Sequence, residues 1–159
     1  GFMSIRHLMA EAGYVDQDLW YDDLGKPHLK DGQYISITHS FNFTGIIVSN
    51  QPVGIDIEKQ RDKIIKIANK FTPLREYHTL ANEEAIIRKL TIVWGSKESI
   101  YKVHAQPGLG FLEHIYIKDF DFEDAVTRGT VTFEGEKTEY ELEFLEFEGF
   151  TCVYTFLLN

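Results

Sequence analysis

An acidic pair inside an apolar strand most constrains how this chain can fold. Residues 53–58 read V-G-I-D-I-E, a run typical of a buried β-strand. Side chains alternate along a strand, so Asp56 and Glu58 project from the same face of it. This placement favours either a site for a divalent cation or an exposed edge pair balanced by Lys59 and Arg61.

A second motif supplies a third carboxylate. Residues 94–102 read W-G-S-K-E-S-I-Y-K, which is typical of a helix. Trp94, Glu98 and Lys102 recur every fourth residue and therefore line one stripe of that helix. Joined to the acidic strand, they would form a site for a divalent cation and a phosphate. The simpler alternative is a helix salt bridge between Glu98 and Lys102, with Trp94 as core packing.

Composition limits the classes of protein to which the chain can belong. Its 159 residues, 43% hydrophobic and 26% charged, predict one globular domain over residues 1–159. The net charge of −9 disfavours general binding to nucleic acid or to an anionic membrane. One cysteine rules out an intrachain disulfide, and we find neither a membrane span nor a signal peptide. We therefore expect a cytoplasmic protein.

Apolar periodicity, caps and breakers predict an α+β fold, with helices packed on a mostly antiparallel sheet. Helices are predicted at 4–12, capped by Ser4, at 62–70, from Thr72-Pro73 onward, and at 82–104, capped by Asn82. Residues 22–31 are predicted to form a loop. The predicted strands are 19–21, 33–38, 44–49, 53–57, 115–117, 130–133, 138–147 and 150–158.

Taken in order, four motifs resemble the 4′-phosphopantetheinyl transferase superfamily, and in particular its larger, surfactin-synthetase-activating branch. No single motif is specific, but the four together, with these gaps, are. The resemblance covers roughly residues 25–117 and implies the fold of that superfamily. The motifs are G-K-P (25–27), I-T-H-S (37–40), V-G-I-D-I-E-K (53–59) and W-G-S-K-E-S-I-Y-K (94–102).

The resemblance implies an enzyme of the holo-[acyl-carrier-protein] synthase type. Such enzymes move the 4′-phosphopantetheine arm of coenzyme A onto a serine of an apo acyl or peptidyl carrier protein and release 3′,5′-ADP. By resemblance, Mg²⁺ would be held by Asp56, Glu58 and Glu98, in keeping with the preference of Mg²⁺ for a few carboxylates plus phosphate oxygens. Lys102 would hold charge that develops on the phosphates. Glu98 or Glu76 would act as the base toward the serine.

The resemblance also implies the contacts with coenzyme A and with the carrier. Lys26 would meet the 3′-phosphate, Thr38 and His39 would contact coenzyme A phosphates, and Lys97 would assist. Carrier proteins are acidic, as this chain is, so docking needs a local basic surface. The cluster predicted to provide it consists of Lys59, Arg61, Lys63, Lys66 and Lys70.

The length of the first part leaves two alternatives open. The larger branch has two similar halves, so residues 1–52 are expected to form a reduced N-terminal part and residues 53–159 the metal-binding, catalytic part. A homo-oligomer, in which a neighbouring subunit replaces the missing half, is one arrangement consistent with this length. The alternative function is a non-catalytic relative that binds a carrier protein or coenzyme A. An unrelated nucleotide hydrolase has no support, because the chain contains no Walker-type glycine loop.

Overall fold

In the computed structural model, which describes residues 2–73 and 82–158, strands lie on both sides of a long central helix in the chain. The helices are α1 (Phe2–Glu11), α2 (Lys63–Ile67), α3 (Glu83–His104) and α4 (Phe111–His114). The strands are β1 (Leu19–Tyr21), β2 (Pro27–Leu29), β3 (Tyr34–Ser40), β4 (Phe43–Ser49), β5 (Val53–Lys59), β6 (Ile115–Ile117), β7 (Val126–Phe133), β8 (Glu136–Phe147) and β9 (Phe150–Leu157).

One five-stranded antiparallel sheet carries the predicted acidic strand at its edge. The strand order is β5-β9-β8-β7-β6, and Asp56 pairs with Val153 of β9. Two smaller antiparallel pairs, β1-β2 and β3-β4, precede it in the chain. Helices combined with mostly antiparallel strands confirm the predicted α+β class.

The central helix α3 forms as its sequence predicts. Asn82 caps it, since its side chain accepts a hydrogen bond of 2.8 Å from the Ala85 N–H. Two glutamates occupy the first turn, where the helix dipole favours negative charge. The helix packs its apolar side chains against the sheet, and Leu90, Ile92 and Ile100 are fully buried there. Each such side chain contributes about 1.5–3 kcal/mol of hydrophobic stabilisation.

One predicted loop contains a strand. Within residues 22–31, β2 pairs with β1 in the register Leu19 with Leu29. Leu29 is 4% exposed and belongs to a small core with Ile5, Met9 and Ile35. Burial of this leucine outweighs the Asp, Gly and Pro content from which the loop was predicted.

Several predicted boundaries also shift. Helix α1 begins at Phe2, so Ser4 lies inside the helix and does not cap it. The predicted helix at 62–70 ends at Ile67 and continues as a 3₁₀ turn over Ala68–Lys70. The helix predicted from Thr72-Pro73 onward lies outside the described residues. Among those residues, no helix is both long and apolar enough to cross a membrane.

Candidate active site

Helix α3 crosses β5 at backbone contact, and two glycines permit this crossing. A Cβ atom on Gly54 would lie 2.1 Å from the main-chain oxygen of Ser99. A Cβ atom on Gly95 would lie 2.9 Å from a methyl carbon of Val153 and 3.6 Å from Oδ2 of Asp56. The first distance lies far inside van der Waals contact, so only glycine allows the approach. The crossing places the last turns of α3 against the acidic face of β5.

Three carboxylates interact electrostatically at this crossing. Asp56 is 5% exposed, and its Oδ2 is buried with no hydrogen-bond partner among the described residues. Burial first, then Glu58 and Glu98, raise the pKa of Asp56 to about 9, although Lys102 acts in the opposite direction. Burial also raises the pKa of Glu98, with a smaller contribution from Glu58. Without a cation, the raised pKa keeps Asp56 protonated at neutral pH, where an exposed aspartate would be ionised.

Lys102 connects the cluster to the neighbouring strand. Its Nζ donates hydrogen bonds to the main-chain oxygens of Ile55 at 2.8 Å and Ile37 at 3.2 Å. A third, longer contact of 3.4 Å joins it to Oδ1 of Asp56. The simpler alternative is a helix salt bridge between Glu98 and Lys102. Within the described residues no such salt bridge forms, and Lys102 pairs with Asp56. The ammonium instead faces β3, β5 and the buried aspartate.

A cleft of about 510 Å³ opens beside Lys102. It lies between the segment before β2, strand β3 and the C-terminal end of α3. Its lining combines cationic, aromatic and apolar side chains, which suits a ligand with both phosphates and an apolar or aromatic portion. The lining residues are Tyr21, Leu24, Gly25, Lys26, Pro27, Ile35, Ser36, Ile37, His39, Tyr101, Lys102, Ala105, Gln106 and Pro107.

A second cavity is bordered by one of the three carboxylates. This cavity of about 260 Å³ is lined by Glu58, Trp94, Phe41 and basic side chains near the start of α2. Burial and then Glu58 raise the pKa of Asp56, while Lys102 of the cleft lies 3.4 Å from Oδ1 of Asp56. Asp56 therefore interacts with one residue of each cavity.

Comparison with known proteins decides the family. A family model of the 4′-phosphopantetheinyl transferase superfamily matches residues 52–155, which include β5, α3 and the sheet that carries them. The chain belongs to this superfamily. Membership confirms the predicted fold and the resemblance drawn from the four motifs.

Two curated 4′-phosphopantetheinyl transferases are similar to the chain. The chain is 32% identical over 137 residues to 4′-phosphopantetheinyl transferase gsp of Aneurinibacillus migulanus, covering 82% of this chain and 54% of that protein. It is 30% identical over 109 residues to a 4′-phosphopantetheinyl transferase of Bacillus subtilis, covering 64% of this chain and 49% of that protein. The chain thus spans about half the length of the curated relatives it matches.

The cleft brings together three of the residues that superfamily resemblance assigns to coenzyme A phosphates. All three line it: Lys26, His39 and Lys102. This placement is compatible with phosphate contacts, and the role itself remains a prediction. Nζ of Lys26 donates to the main-chain oxygen of Val103 at 3.2 Å, and burial lowers the pKa of Lys26. His39 is exposed, and its Nδ1 lies 3.3 Å from Oγ1 of Thr44.

The other two residues assigned to coenzyme A lie elsewhere. Thr38 is 3% exposed, and its hydroxyl oxygen accepts a hydrogen bond from the Ile57 N–H at 3.0 Å. Lys97 is 2% exposed, and its Nζ donates to the main-chain oxygens of Phe71 and Phe111. Both side chains are turned into the protein toward main-chain groups, so their placement gives no support to a direct phosphate contact.

The alternative base and the metal ligands also remain predictions. Glu76, the alternative base, lies outside the described residues. Among residues 2–73 and 82–158, no three His, Cys, Asp or Glu side chains form a ready metal cage. Mg²⁺ rarely uses such a cage, because it keeps waters and takes most remaining ligands from substrate phosphates. The metal prediction for Asp56, Glu58 and Glu98 is therefore still a prediction.

Several cleft residues escape the sequence reasoning. Ser36, Tyr101 and Gln106 line the cleft, yet the sequence analysis assigns none of them a role, although Tyr101 lies within the motif at 94–102. The available signal is proximity: Tyr101 precedes Lys102, and Gln106 follows the end of α3. Ser36 lies two residues before Thr38 and so shares its face of β3.

We expect Gly54→Ala to lower the free energy of unfolding by about 3 kcal/mol or more, because its methyl group meets the main-chain oxygen of Ser99. Urea unfolding followed by circular dichroism measures the loss. Gly45→Ala is the control: its Cβ would lie 3.2 Å from terminal methyl carbons of Ile57 and Thr38, which can move. Equal losses in the two variants would contradict the proposed importance of the crossing.

Proposed function

We propose that this protein is a Mg²⁺-dependent 4′-phosphopantetheinyl transferase of the holo-[acyl-carrier-protein] synthase type. Its substrates would be coenzyme A and an apo acyl or peptidyl carrier protein, and its second product 3′,5′-ADP. The proposal rests on superfamily membership together with one observation. Asp56, whose Oδ2 is buried without a hydrogen-bond partner among the described residues, lies beside Lys102 of the cation-lined cleft.

The residues present fit a divalent cation. An unpartnered buried carboxylate oxygen is costly unless a cation or proton neutralises it. Burial raises the pKa of Asp56, and both Glu58 and Glu98 lie close enough to raise it further. These three side chains would hold Mg²⁺. When bound, the ion would neutralise and orient the diphosphate of coenzyme A.

The chain's own residues would divide the remaining work. Lys26 and His39 would bind phosphates in the cleft, and Lys102 would balance negative charge beside Asp56. The serine oxygen attacks the β-phosphorus, and the bond from that phosphorus to the oxygen of 3′,5′-ADP breaks. A carboxylate oxygen of the half-buried Glu98 would take the serine proton.

The second cavity offers a docking surface for the acidic carrier. Arg61 and Lys59 lie over the ring of Phe41, with Cζ and Nζ at 4.4 and 4.8 Å from its centroid. Phe41 itself is 62% exposed. The surface around it is basic, although the net charge of the chain is −9. This local basic and aromatic surface supports approach of an acidic protein to the Glu58 side of the carboxylates. Lys63 extends it along α2.

The direct test incubates an apo acyl carrier protein with this protein, coenzyme A and Mg²⁺, and then measures the carrier's intact mass. We expect a gain equal to one phosphopantetheine arm, lost when Mg²⁺ is chelated. Coenzyme A binding without a mass gain on any carrier would favour the non-catalytic alternative and sink the proposal.

Glu98→Gln should lower the transfer rate about 100-fold or more, because the variant loses both a charge at the cation site and the proposed base. The matched control is Glu84→Gln, at an exposed position in the first turn of the same helix. Single-turnover transfer monitored by mass spectrometry measures both. An unchanged rate in Glu98→Gln would remove this residue from the site.

We expect Asp56→Asn to stabilise the metal-free protein while it abolishes transfer. The pKa of Asp56 is about 9 in the folded protein and ordinarily 3.8, so metal-free wild type loses stability as the pH rises between these values. Asparagine does not titrate, so its advantage in urea unfolding should grow from pH 5 to pH 8 in chelator. Asp62→Asn, the same substitution at an exposed position nearby, is the matched control. A pH-independent difference for Asp56→Asn would contradict the burial of its charge.

Charge reversal on the docking surface should weaken binding of the carrier protein and leave binding of coenzyme A unchanged. The double variant Arg61→Glu/Lys63→Glu is expected to raise the KM for the carrier about tenfold and to leave the KM for coenzyme A unchanged. The effect should shrink with added salt, because exposed charges are screened. Lys118→Glu, exposed just beyond β6, is the control. Equal effects of the two variants would place docking elsewhere.

A further inference from the structure

One edge of β5 is closed by side chains in place of a neighbouring strand. The Ile55 N–H donates to Oγ of Ser36 at 3.0 Å, and the Ile57 N–H donates to Oγ1 of Thr38 at 3.0 Å. Both acceptors lie on β3, which the backbone pairing assigns to a separate sheet. We call these two hydrogen bonds, between Ser36 and Ile55 and between Thr38 and Ile57, the hydroxyl seam.

The seam is buried and has little redundancy. Its four residues are all less than 9% exposed. Alternate residues of an antiparallel strand direct their N–H groups to opposite sides, so Ile55 and Ile57 direct theirs away from β9. Without the two hydroxyls, these N–H groups would lie buried without an acceptor and would carry the full cost of desolvation. Each hydroxyl therefore fixes one point of β5.

Asp56 lies between the two fixed points. Its own main chain pairs with Val153 on the other side of the strand. Lys102 adds a bridge across the seam, because its Nζ bonds the main-chain oxygens of both Ile37 and Ile55 and also reaches Asp56. The aspartate is thus held from β9, from β3 and from α3.

We propose that Ser36 and Thr38 are positioning residues for the transfer reaction, acting through the main chain on either side of Asp56. The inference rests on the proposed function. It gives Thr38 a role different from the direct phosphate contact that resemblance implies. Reacting groups need placement within about 0.5 Å, and a strand edge closed by only two hydroxyls is where this carboxylate can lose that placement.

The test uses isosteric variants with a matched control. Thr38→Val removes the hydroxyl and keeps the shape of the side chain, Thr38→Ser keeps the hydroxyl, and Ser36→Ala removes the other acceptor. The control Thr127→Val makes the same change at another buried threonine and removes the part-buried hydrogen bond that Oγ1 of Thr127, on β7, donates to the main-chain oxygen of Lys118 at 2.7 Å. For each variant, kcat, the KM for coenzyme A and amide hydrogen exchange are measured.

We expect Thr38→Val and Ser36→Ala to lower kcat about tenfold or more, with the KM for coenzyme A within about twofold of wild type. Thr38→Ser and Thr127→Val should keep kcat within about twofold. Hydrogen exchange should show faster exchange of the Ile57 amide in Thr38→Val and of the Ile55 amide in Ser36→Ala. These site-specific losses of protection would identify the seam as the cause.

Three results would overturn the proposal. A raised KM for coenzyme A with unchanged kcat in Thr38→Val would indicate a direct phosphate contact. An equal loss of kcat in Thr127→Val would indicate general destabilisation. Unchanged protection of the Ile55 and Ile57 amides would refute the seam itself.

Failure of the proposed function would be recognised separately, as absence of transfer by the wild type. The seam would then be judged by Mg²⁺ affinity, measured by calorimetric titration of the metal alone. Weaker binding in Thr38→Val than in Thr38→Ser would support positioning of Asp56. Equal affinities, or no Mg²⁺ binding by the wild type, would overturn it.

Discussion

The contact between α3 and β5 at Gly54 is the constraint on which the remainder of the site depends. A side chain at Gly54 would collide with the backbone of α3, and a wider separation would withdraw Glu98 and Lys102 from Asp56. Hydrophobic burial along α3 supplies the attraction, and glycine sets the distance. A helix interior normally disfavours glycine, so Gly95 exchanges helix propensity for closeness to the acidic strand.

Asp56 shows why such a site costs stability. It is a buried acid with an oxygen that lacks a hydrogen-bond partner within residues 2–73 and 82–158, and both burial and Glu58 oppose its ionisation. An apolar residue of similar size would be easier to bury. Lys102 acts in the opposite direction, but the pKa of Asp56 is still raised to about 9. A buried acid with a strongly perturbed pKa beside a cleft is typical of a functional site.

The sequence predicts those parts of the structure that local rules decide. The cap at Asn82, the period of α3 and the alternation of β5 depend on neighbours in the chain, and the structure agrees with each. Strand β2, the hydrogen bonds from Lys97 to main-chain oxygens and the hydroxyl seam at Thr38 depend on contacts between distant segments. No local sequence pattern contains such contacts. Motif resemblance identified the acidic strand and the helix correctly. It did not reveal that Thr38 faces the main chain of β5.

Carbon-13 NMR of the Asp56 carboxyl tests the central claim most directly. The claim is that Asp56 is a buried, protonated acid at this crossing and that it ionises when a cation binds. In chelator, the account predicts a titration near pH 9, far above the ordinary value for aspartate. Addition of Mg²⁺ and coenzyme A should ionise the carboxyl at neutral pH and shift its resonance. An Asp56 already ionised at pH 7 in chelator, with a resonance that Mg²⁺ does not move, would contradict the account.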